Sequence, residues 1–105
     1  MIYSVGSIFL DHIIKINSFP KKPVKVFAKG IEKRLGGSAA VASFTIKKLG
    51  INTAFIGRFG DDDVSKSLKG ELKKFKINYN DSVIIKGAQS SQSYVYEDKD
   101  GERLL

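Results

Sequence analysis

This chain is organised around residues 36–50, which read GGSAAVASFTIKKLG. A glycine pair lets the backbone adopt conformations that are closed to other residues, and it lets a ligand approach the main chain closely. The apolar positions that follow recur every three or four residues, which predicts an amphipathic helix over residues 37–49 that Ser38 caps and Gly50 terminates. The free N–H groups and positive dipole end of such a helix favour a bound small molecule. A tight turn without a ligand is the alternative interpretation of the glycine pair alone.

A strand and a second helix are predicted after Gly50. Residues 51–57 (INTAFIG) read as a buried strand, and apolar residues at spacings of four, four and three follow from Val64 to Phe75. The acidic run over residues 61–63 favours helix capping over a metal cluster, because carboxylates at a helix N-terminus accept bonds from free N–H groups and suit the dipole. We therefore predict no metal-binding residue in this run.

The N-terminal segment predicts a first strand that leads into a candidate site residue. Residues 2–10 are apolar enough for a buried strand, and Asp11 follows at its expected carboxyl end. Ligands of open α/β sheets bind beyond that end, so Asp11 is a candidate binding residue. A turn aspartate that caps local N–H groups is the alternative. His12 is the only histidine, and we assign it no role.

Four further strands are predicted from shorter patterns. Alternating apolar residues within 24–34 predict a half-exposed strand, and residues 83–85 predict a short one. Residues 93–105 read as a strand, a hairpin turn and the start of another strand, with Arg103 after the turn. Arg103 either reaches an anionic group of a substrate or lies in solvent as an ordinary hairpin arginine.

Composition restricts the classes of function. The 105 residues carry a net charge of +7 and no cysteine, which excludes disulfides and thiolate metal sites. The lysines are spread along the chain, which favours a solvated surface, with anionic substrates as the second explanation. Nucleic-acid binding ranks third, because the aromatic residues are not interleaved with the basic ones. No apolar run approaches the length of about 20 residues that spans a bilayer, so a cytoplasmic location is the default expectation.

The spacing of Gly36-Gly37, Ser43, Gly50 and Gly60 resembles the N-terminal motif of the PfkB (ribokinase-like) family of sugar and nucleoside kinases. Residues 6–11 (GSIFLD) look like the family's first strand, and residues 100–103 (DGER) look like the turn of its second lid hairpin. The resemblance implies an α/β fold: the N-terminal part of a ribokinase-like Rossmann-type sheet with helices, plus lid β-strands. It also implies an enzyme that transfers the γ-phosphate of ATP to a hydroxyl of its substrate.

The resemblance assigns substrate binding to six positions: Asp11, Gly36, Gly37, Ser38, Val41 and Arg103. In the family, the aspartate that ends the first strand holds substrate hydroxyls, and Asp11 stands at that position here. Val41 departs from the family, which usually carries asparagine there. Because valine makes no side-chain hydrogen bond and an unpaired polar group costs about 1–3 kcal/mol, the departure implies either a modified sugar or a failed correspondence at this position.

The catalytic half of the family pattern is missing from these residues. No Gly-x-x-x-x-Gly-Lys-Ser/Thr phosphate loop occurs, and the family's catalytic aspartate belongs to a Gly-Ala-Gly-Asp-like motif in its C-terminal half. We therefore expect residues 1–105 to be the incomplete N-terminal substrate-binding and lid portion of a kinase domain, a fragment that is inactive alone. ATP and Mg²⁺ are expected only for the complete kinase. No catalytic, cofactor-binding or metal-binding residue is predicted in this chain.

The expected partner is a small-molecule sugar or nucleoside. Lid strands that end unpaired leave apolar surface exposed, so a homodimer through the lid is a further expectation. A non-catalytic binding or oligomerisation module of the same fold is the alternative function. A basic nucleic-acid-binding domain is a weaker alternative, and no membrane partner is expected.

Overall fold

The computed structural model describes residues 1–105 as two compact units. The first unit contains Met1–Leu10 and Leu35–Ser91, and the second contains Asp11–Arg34 and Gln92–Leu105. The elements are β1 (Ile2–Val5), β2 (Phe9–Lys15), β3 (Gly30–Gly36), α1 (Ser38–Lys48), β4 (Thr53–Ile56), β5 (Arg58–Phe59), α2 (Asp63–Lys74), β6 (Val83–Ile84), β7 (Gln92–Glu97) and β8 (Arg103–Leu104). This mixed α/β architecture confirms the fold class predicted from the sequence.

The first unit combines parallel strand pairs with two helices. β1 pairs with β4 from Ile2 opposite Thr53 to Val5 opposite Ile56, and β5 pairs with β6. Parallel strands need a crossover connection, and α1 lies between β1 and β4 along the chain. The core contains four large apolar side chains that are fully buried: Phe55, Phe59, Leu68 and Leu72. Neither α1 nor α2 has the length and apolar character that crossing a membrane requires.

The predicted helix over residues 37–49 is confirmed as α1, but its start is built differently. The N-cap is Gly37, which has no side chain that could cap the helix, so the expectation that Ser38 would be the capping residue is wrong. Ser38 is instead the first helical residue. Gly50 follows the helix with a φ of +84°, as the prediction of a left-handed terminating glycine requires.

The second helix begins at the acidic run, as predicted. Asp62 is the N-cap of α2, and its Oδ1 accepts the Ser65 N–H at 3.0 Å. The same carboxylate accepts the N–H and the O–H of Ser90, at 2.9 Å and 2.8 Å. Asp62 therefore ties the segment before β7 to the start of α2.

Most residues of a four-stranded sheet with the order β3-β2-β7-β8 belong to the second unit. The Leu10 N–H donates to the Ser91 carbonyl, and six residues later the Ile16 N–H donates to the Glu97 carbonyl. The two strands β2 and β7 therefore run parallel, with Asp11 beside Ser93. β7 and β8 form the predicted antiparallel hairpin.

Two strand predictions have the wrong boundaries. The predicted strand over residues 2–10 is divided into β1 and β2, so Asp11 lies inside β2 rather than at a carboxyl end. The division arises because Gly6 has a φ of +149° and the Ser7 carbonyl accepts the Ala40 N–H of α1 instead of a strand partner. Residues 24–28 form no strand, because two prolines precede them and their side chains are exposed; β3 begins only at Gly30.

Candidate functional site

Gly37 is a position where the backbone requires glycine. Its φ of +98° is one that L side chains rarely adopt. A Cβ atom here would lie 2.5 Å from the Ser7 carbonyl oxygen and 2.8 Å from the Ile8 Cα. The chain after β1 therefore packs directly on the start of α1. Gly36, the buried last residue of β3, leads the chain into this contact.

Ser7 accepts hydrogen bonds from two backbone N–H groups at the start of α1, a role that the sequence analysis did not predict. Its Oγ accepts the Ser38 N–H at 3.2 Å, and its carbonyl oxygen accepts the Ala40 N–H at 3.2 Å. The Val41 N–H is bonded within the helix to the Gly37 carbonyl, which leaves the Ala39 N–H without a partner. The available signal was the pair Gly6-Ser7, a turn-forming dipeptide directly after an apolar run.

A cavity of about 440 Å³ opens at this helix start and at the carboxyl end of β1. Residues 4–7 line it, together with Ser38, Ala39 and Ala42. The lining offers serine hydroxyls and backbone groups but no charged side chain, so it suits a neutral polar ligand. Val41 is not part of the lining, and its side chain is 49% exposed.

Asp11 is held by a side-chain contact within the second unit. Ser93 Oγ donates to Asp11 Oδ1 at 2.6 Å, across the neighbouring strands β7 and β2. The next side chains along both strands on the same face, Ile13 and Val95, are buried, each with 4% exposure. Asp11 is therefore a fixed carboxylate on a sheet, and sequence reasoning did not identify Ser93 as its partner.

Arg103 lies on β8 and is paired with a different carboxylate. Its Nε donates to Glu97 Oε2 at 2.7 Å, and the two residues are opposite each other in the hairpin. Glu97 is four residues beyond Ser93 on β7, a distance of about 13 Å along a strand. The structure therefore does not bring Arg103 to Asp11, whereas Gly36, Gly37 and Ser38 lie together in the first unit.

The opposite face of the second unit's sheet is aromatic and apolar. The His12 ring stacks on the Tyr94 ring at 4.6 Å between centroids, and His12 Nε2 lies 2.8 Å from Gln92 Oε1. A groove of about 270 Å³ follows on the same unit, lined by Ile14, Ile16, Phe19, Pro20, Val26, Tyr96 and Leu104. We call these seven residues the apolar groove. None of them carries a charge.

Two carboxylates have altered pKa values, and both are paired. The Ser90 backbone N–H, which donates to Asp62, lowers the pKa of that carboxyl against the opposing effect of burial. The hydrogen bonds from Lys15 and Arg34, at 2.8 Å and 2.6 Å, lower the pKa of Glu32. Both shifts arise from hydrogen bonds within structural pairs. No three His, Asp or Glu side chains are grouped so that they could hold a metal ion.

The sequence pattern of the pfkB family of carbohydrate kinases matches residues 1–105, and the chain belongs to this family. It is 27% identical over 100 residues to a nucleoside kinase of Methanocaldococcus jannaschii, a match that covers 95% of this chain and 33% of the relative. It is 39% identical over 74 residues to a probable fructokinase-5 of Arabidopsis thaliana, covering 70% of this chain and 23% of the relative. The chain thus spans about a third or less of the length of these relatives.

Solved structures show the same fold. A putative ribokinase from Agrobacterium tumefaciens superposes with a TM-score of 0.88 at 26% identity, covering 98% of this chain and 34% of that protein. A ribokinase of Arabidopsis thaliana complexed with ribose and ATP superposes with a TM-score of 0.81 at 24% identity, again covering 98% and 34%. The ribokinase-like fold predicted from the glycine spacing is therefore confirmed.

Proposed function

We propose that residues 1–105 supply the substrate-binding and lid portion of an ATP-dependent sugar or nucleoside kinase. The observation that carries this proposal is the arrangement of backbone groups and cavity at the start of α1. There, the backbone around Gly37 is held by Ser7 and leaves the Ala39 N–H free beside an uncharged cavity of about 440 Å³. A polyhydroxyl ligand suits such a cavity, because hydroxyls both donate to and accept from the serine and backbone groups of the lining. Family membership supplies the reaction class.

Substrate binding is assigned to Asp11, Gly36, Gly37, Ser38, Val41 and Arg103. The Asp11 carboxylate accepts hydrogen bonds from hydroxyls, while the glycine pair and Ser38 allow close contact with the main chain. Arg103 keeps N–H donors beyond the one that it gives to Glu97, and these suit an anionic substituent. Val41 offers only apolar contact, which favours a sugar or nucleoside that lacks a hydroxyl at the corresponding place.

Phosphate transfer needs a nucleotide site, a bound cation and a base that orients the attacking hydroxyl. We assign ATP and Mg²⁺ to the complete kinase and expect this chain alone to be inactive, because its residues form no metal-binding group and no phosphate loop. What these residues contribute is binding and orientation of the acceptor. A cytoplasmic location is part of the proposal, since ATP is the expected phosphate donor.

Self-association through the second unit's sheet is the second part of the proposal. The apolar groove carries no charge, whereas the chain as a whole carries a net charge of +7. A second copy that covers the uncharged groove buries apolar surface without pairing like charges from the groove's own side chains. Tyr94, Tyr96 and Leu104 beside or within it are 53%, 40% and 60% exposed. We therefore propose a homodimer in which a second copy covers this face.

The proposed function is tested by calorimetric titration of the chain with D-ribose, D-fructose, adenosine and inosine. We expect saturable binding of at least one ligand and loss of that binding in Asp11→Ala. The matched control is Asp100→Ala, which removes a carboxylate from the exposed hairpin turn. A coupled assay with ATP is expected to show no turnover by the chain alone. Equal binding by the Asp11 and Asp100 variants, or no binding by the wild type, contradicts the assignment.

A further inference from the structure

We infer that Ser93 is a positioning residue for Asp11, and that the two side chains together recognise a pair of neighbouring hydroxyls on a neutral ligand. This inference rests on the proposed function, because it requires Asp11 to contact the substrate. The contact that carries it is the hydrogen bond from Ser93 Oγ to Asp11 Oδ1 at 2.6 Å. It joins residues that are 82 positions apart in the chain.

The geometry of the contact explains how Ser93 acts. A hydroxyl-to-carboxylate bond of about 2.5–2.7 Å is charge-assisted and roughly twice as strong as a neutral hydrogen bond. The terminal torsion of a free aspartate is broad, so an unbonded carboxylate samples many orientations. Because β2 and β7 are neighbours in the sheet, Ser93 is held beside Asp11 and restricts the plane of its carboxylate. The second oxygen, Oδ2, then has one preferred direction.

The chemistry of the pair defines the ligand. The single hydroxyl hydrogen of Ser93 is directed to Asp11, so the lone pairs of Ser93 Oγ and Asp11 Oδ2 remain as acceptors. Neither atom has a hydrogen left to donate. A ligand must therefore bring two donors a few ångströms apart, as neighbouring hydroxyls of a sugar do. A phosphate dianion at this place offers no hydrogen and is repelled by the carboxylate.

The opposite face of the same two strands provides a matched control. His12 and Gln92 are the neighbours of Asp11 and Ser93, and successive side chains of a strand point to opposite faces. His12 Nε2 and Gln92 Oε1 lie 2.8 Å apart, so this face also has one side-chain hydrogen bond between β2 and β7. Removing either bond weakens the same pair of strands. Only removal of the Ser93 bond releases Asp11.

The test is calorimetric titration of the full chain and its variants with D-ribose, D-fructose, adenosine and inosine. We expect Ser93→Ala to weaken the affinity for the bound ligand by about 10-fold or more, since a hydrogen bond to a charged group contributes about 1.5–3 kcal/mol. Ser93→Thr keeps the hydroxyl and is expected to restore affinity to within about 3-fold of the wild type. Gln92→Ala is expected to change it by about 2-fold at most. Circular dichroism checks that each variant is folded.

Each outcome of these titrations either supports or overturns the positioning role of Ser93. Wild-type binding with an unchanged affinity in Ser93→Ala overturns the positioning role while the proposed function stands. An equal loss in Ser93→Ala and Gln92→Ala shows that the bond only holds the strands together, and it also overturns the role. Failure of Ser93→Thr to restore binding contradicts the requirement for a hydroxyl. If the wild type binds none of the four ligands, the proposed function and this inference fall together.

Discussion

Gly37 in the first unit and Asp11 in the second, two of the candidate binding residues, are held in place by different means. Gly37 is fixed by main-chain contacts above a buried core, and an added Cβ would meet the Ser7 carbonyl at 2.5 Å. Asp11 is fixed by one side-chain hydrogen bond on a sheet whose opposite face is largely exposed. A backbone site tolerates almost no substitution at the contact itself. We expect a side-chain site to be more tunable, because a substitution on the neighbouring strand, such as Ser93→Ala, removes the bond without introducing a main-chain clash.

Removal of a core side chain from the first unit is expected to have the largest effect. Leu72→Ala leaves a cavity at a residue with 0% exposure, and we expect a loss of about 2–5 kcal/mol in the free energy of unfolding. The matched change in the second unit is Leu104→Ala, at a residue that is 60% exposed, where we expect less than about 1 kcal/mol. Urea denaturation followed by circular dichroism measures both. Equal losses of unfolding free energy in the two variants would contradict the expected difference between the first and the second unit.

Gly37→Ala tests the backbone contact directly. The new Cβ meets the Ser7 main chain and the residue has a positive φ, so we expect a loss of about 3 kcal/mol in unfolding free energy. Gly70→Ala is the control, because a Cβ on this α2 residue meets nothing within 4 Å. That change is expected to stabilise the chain by about 0.5–1 kcal/mol, since alanine is the better helix former. Similar results for both variants would refute the close approach at Gly37.

The Asp62→Ala variant tests whether the stability of the first unit also depends on the hydrogen bonds of one side chain. We expect Asp62→Ala to cost about 1–2 kcal/mol, because it removes the cap of α2 and leaves Ser90 without its acceptor. Asp63→Ala, which removes a fully exposed carboxylate in the next position, is the control and should have little effect.

The pH dependence of the Asp62 contribution has a defined sign. The pKa of Asp62 is lowered in the folded chain, so its contribution is complete above the unfolded value of about 3.9 and is lost as the pH falls through the folded pKa. Urea denaturation from pH 7 to pH 2 should show a constant difference between the wild type and Asp62→Asn near neutrality. That difference should narrow below about pH 4. A difference that is independent of pH would contradict this linkage.

Arg103→Gln is expected to have the smallest effect on stability. The Arg103–Glu97 pair is on the surface of a hairpin, and exposed ion pairs contribute about 0–1 kcal/mol. We expect a change of about 0.5 kcal/mol or less, which added salt should reduce further. Measurements at low and high NaCl check this. A large, salt-independent loss would show that Arg103 has a structural role that its contacts do not explain.

Local signals in the sequence were sufficient where structure depends on neighbouring residues. The spacing from Gly36 to Gly60 identified the family and α1, and the acidic run identified the cap of α2. Contacts between residues that are far apart in the chain could not be predicted from these local signals. Ser7 stands 31 positions before the helix start that it satisfies, and Ser93 stands 82 positions from Asp11.

The same reason explains the wrong strand boundaries. Residues 2–10 have one continuous apolar pattern, but the chain is interrupted at Gly6 because Ser7 bonds to α1 rather than to a strand. The alternation of Val24 and Val26 predicted a strand, yet these residues form none, and they are 62% and 41% exposed. An alternating apolar pattern predicts which side chains a strand would bury, but the strand forms only where a neighbouring strand pairs with it.

The most direct test of the central claim is an amide-resolved NMR titration of the chain with the ligand that calorimetry identifies. We predict saturable shifts at Gly37 and Ala39 in the first unit, and saturable shifts at Asp11 and Ser93 in the second unit. Residues of the lysine-rich segment 21–29 should not respond. Shifts confined to that segment, or shifts that never saturate, would contradict the claim that this chain carries the substrate-binding residues of a sugar or nucleoside kinase.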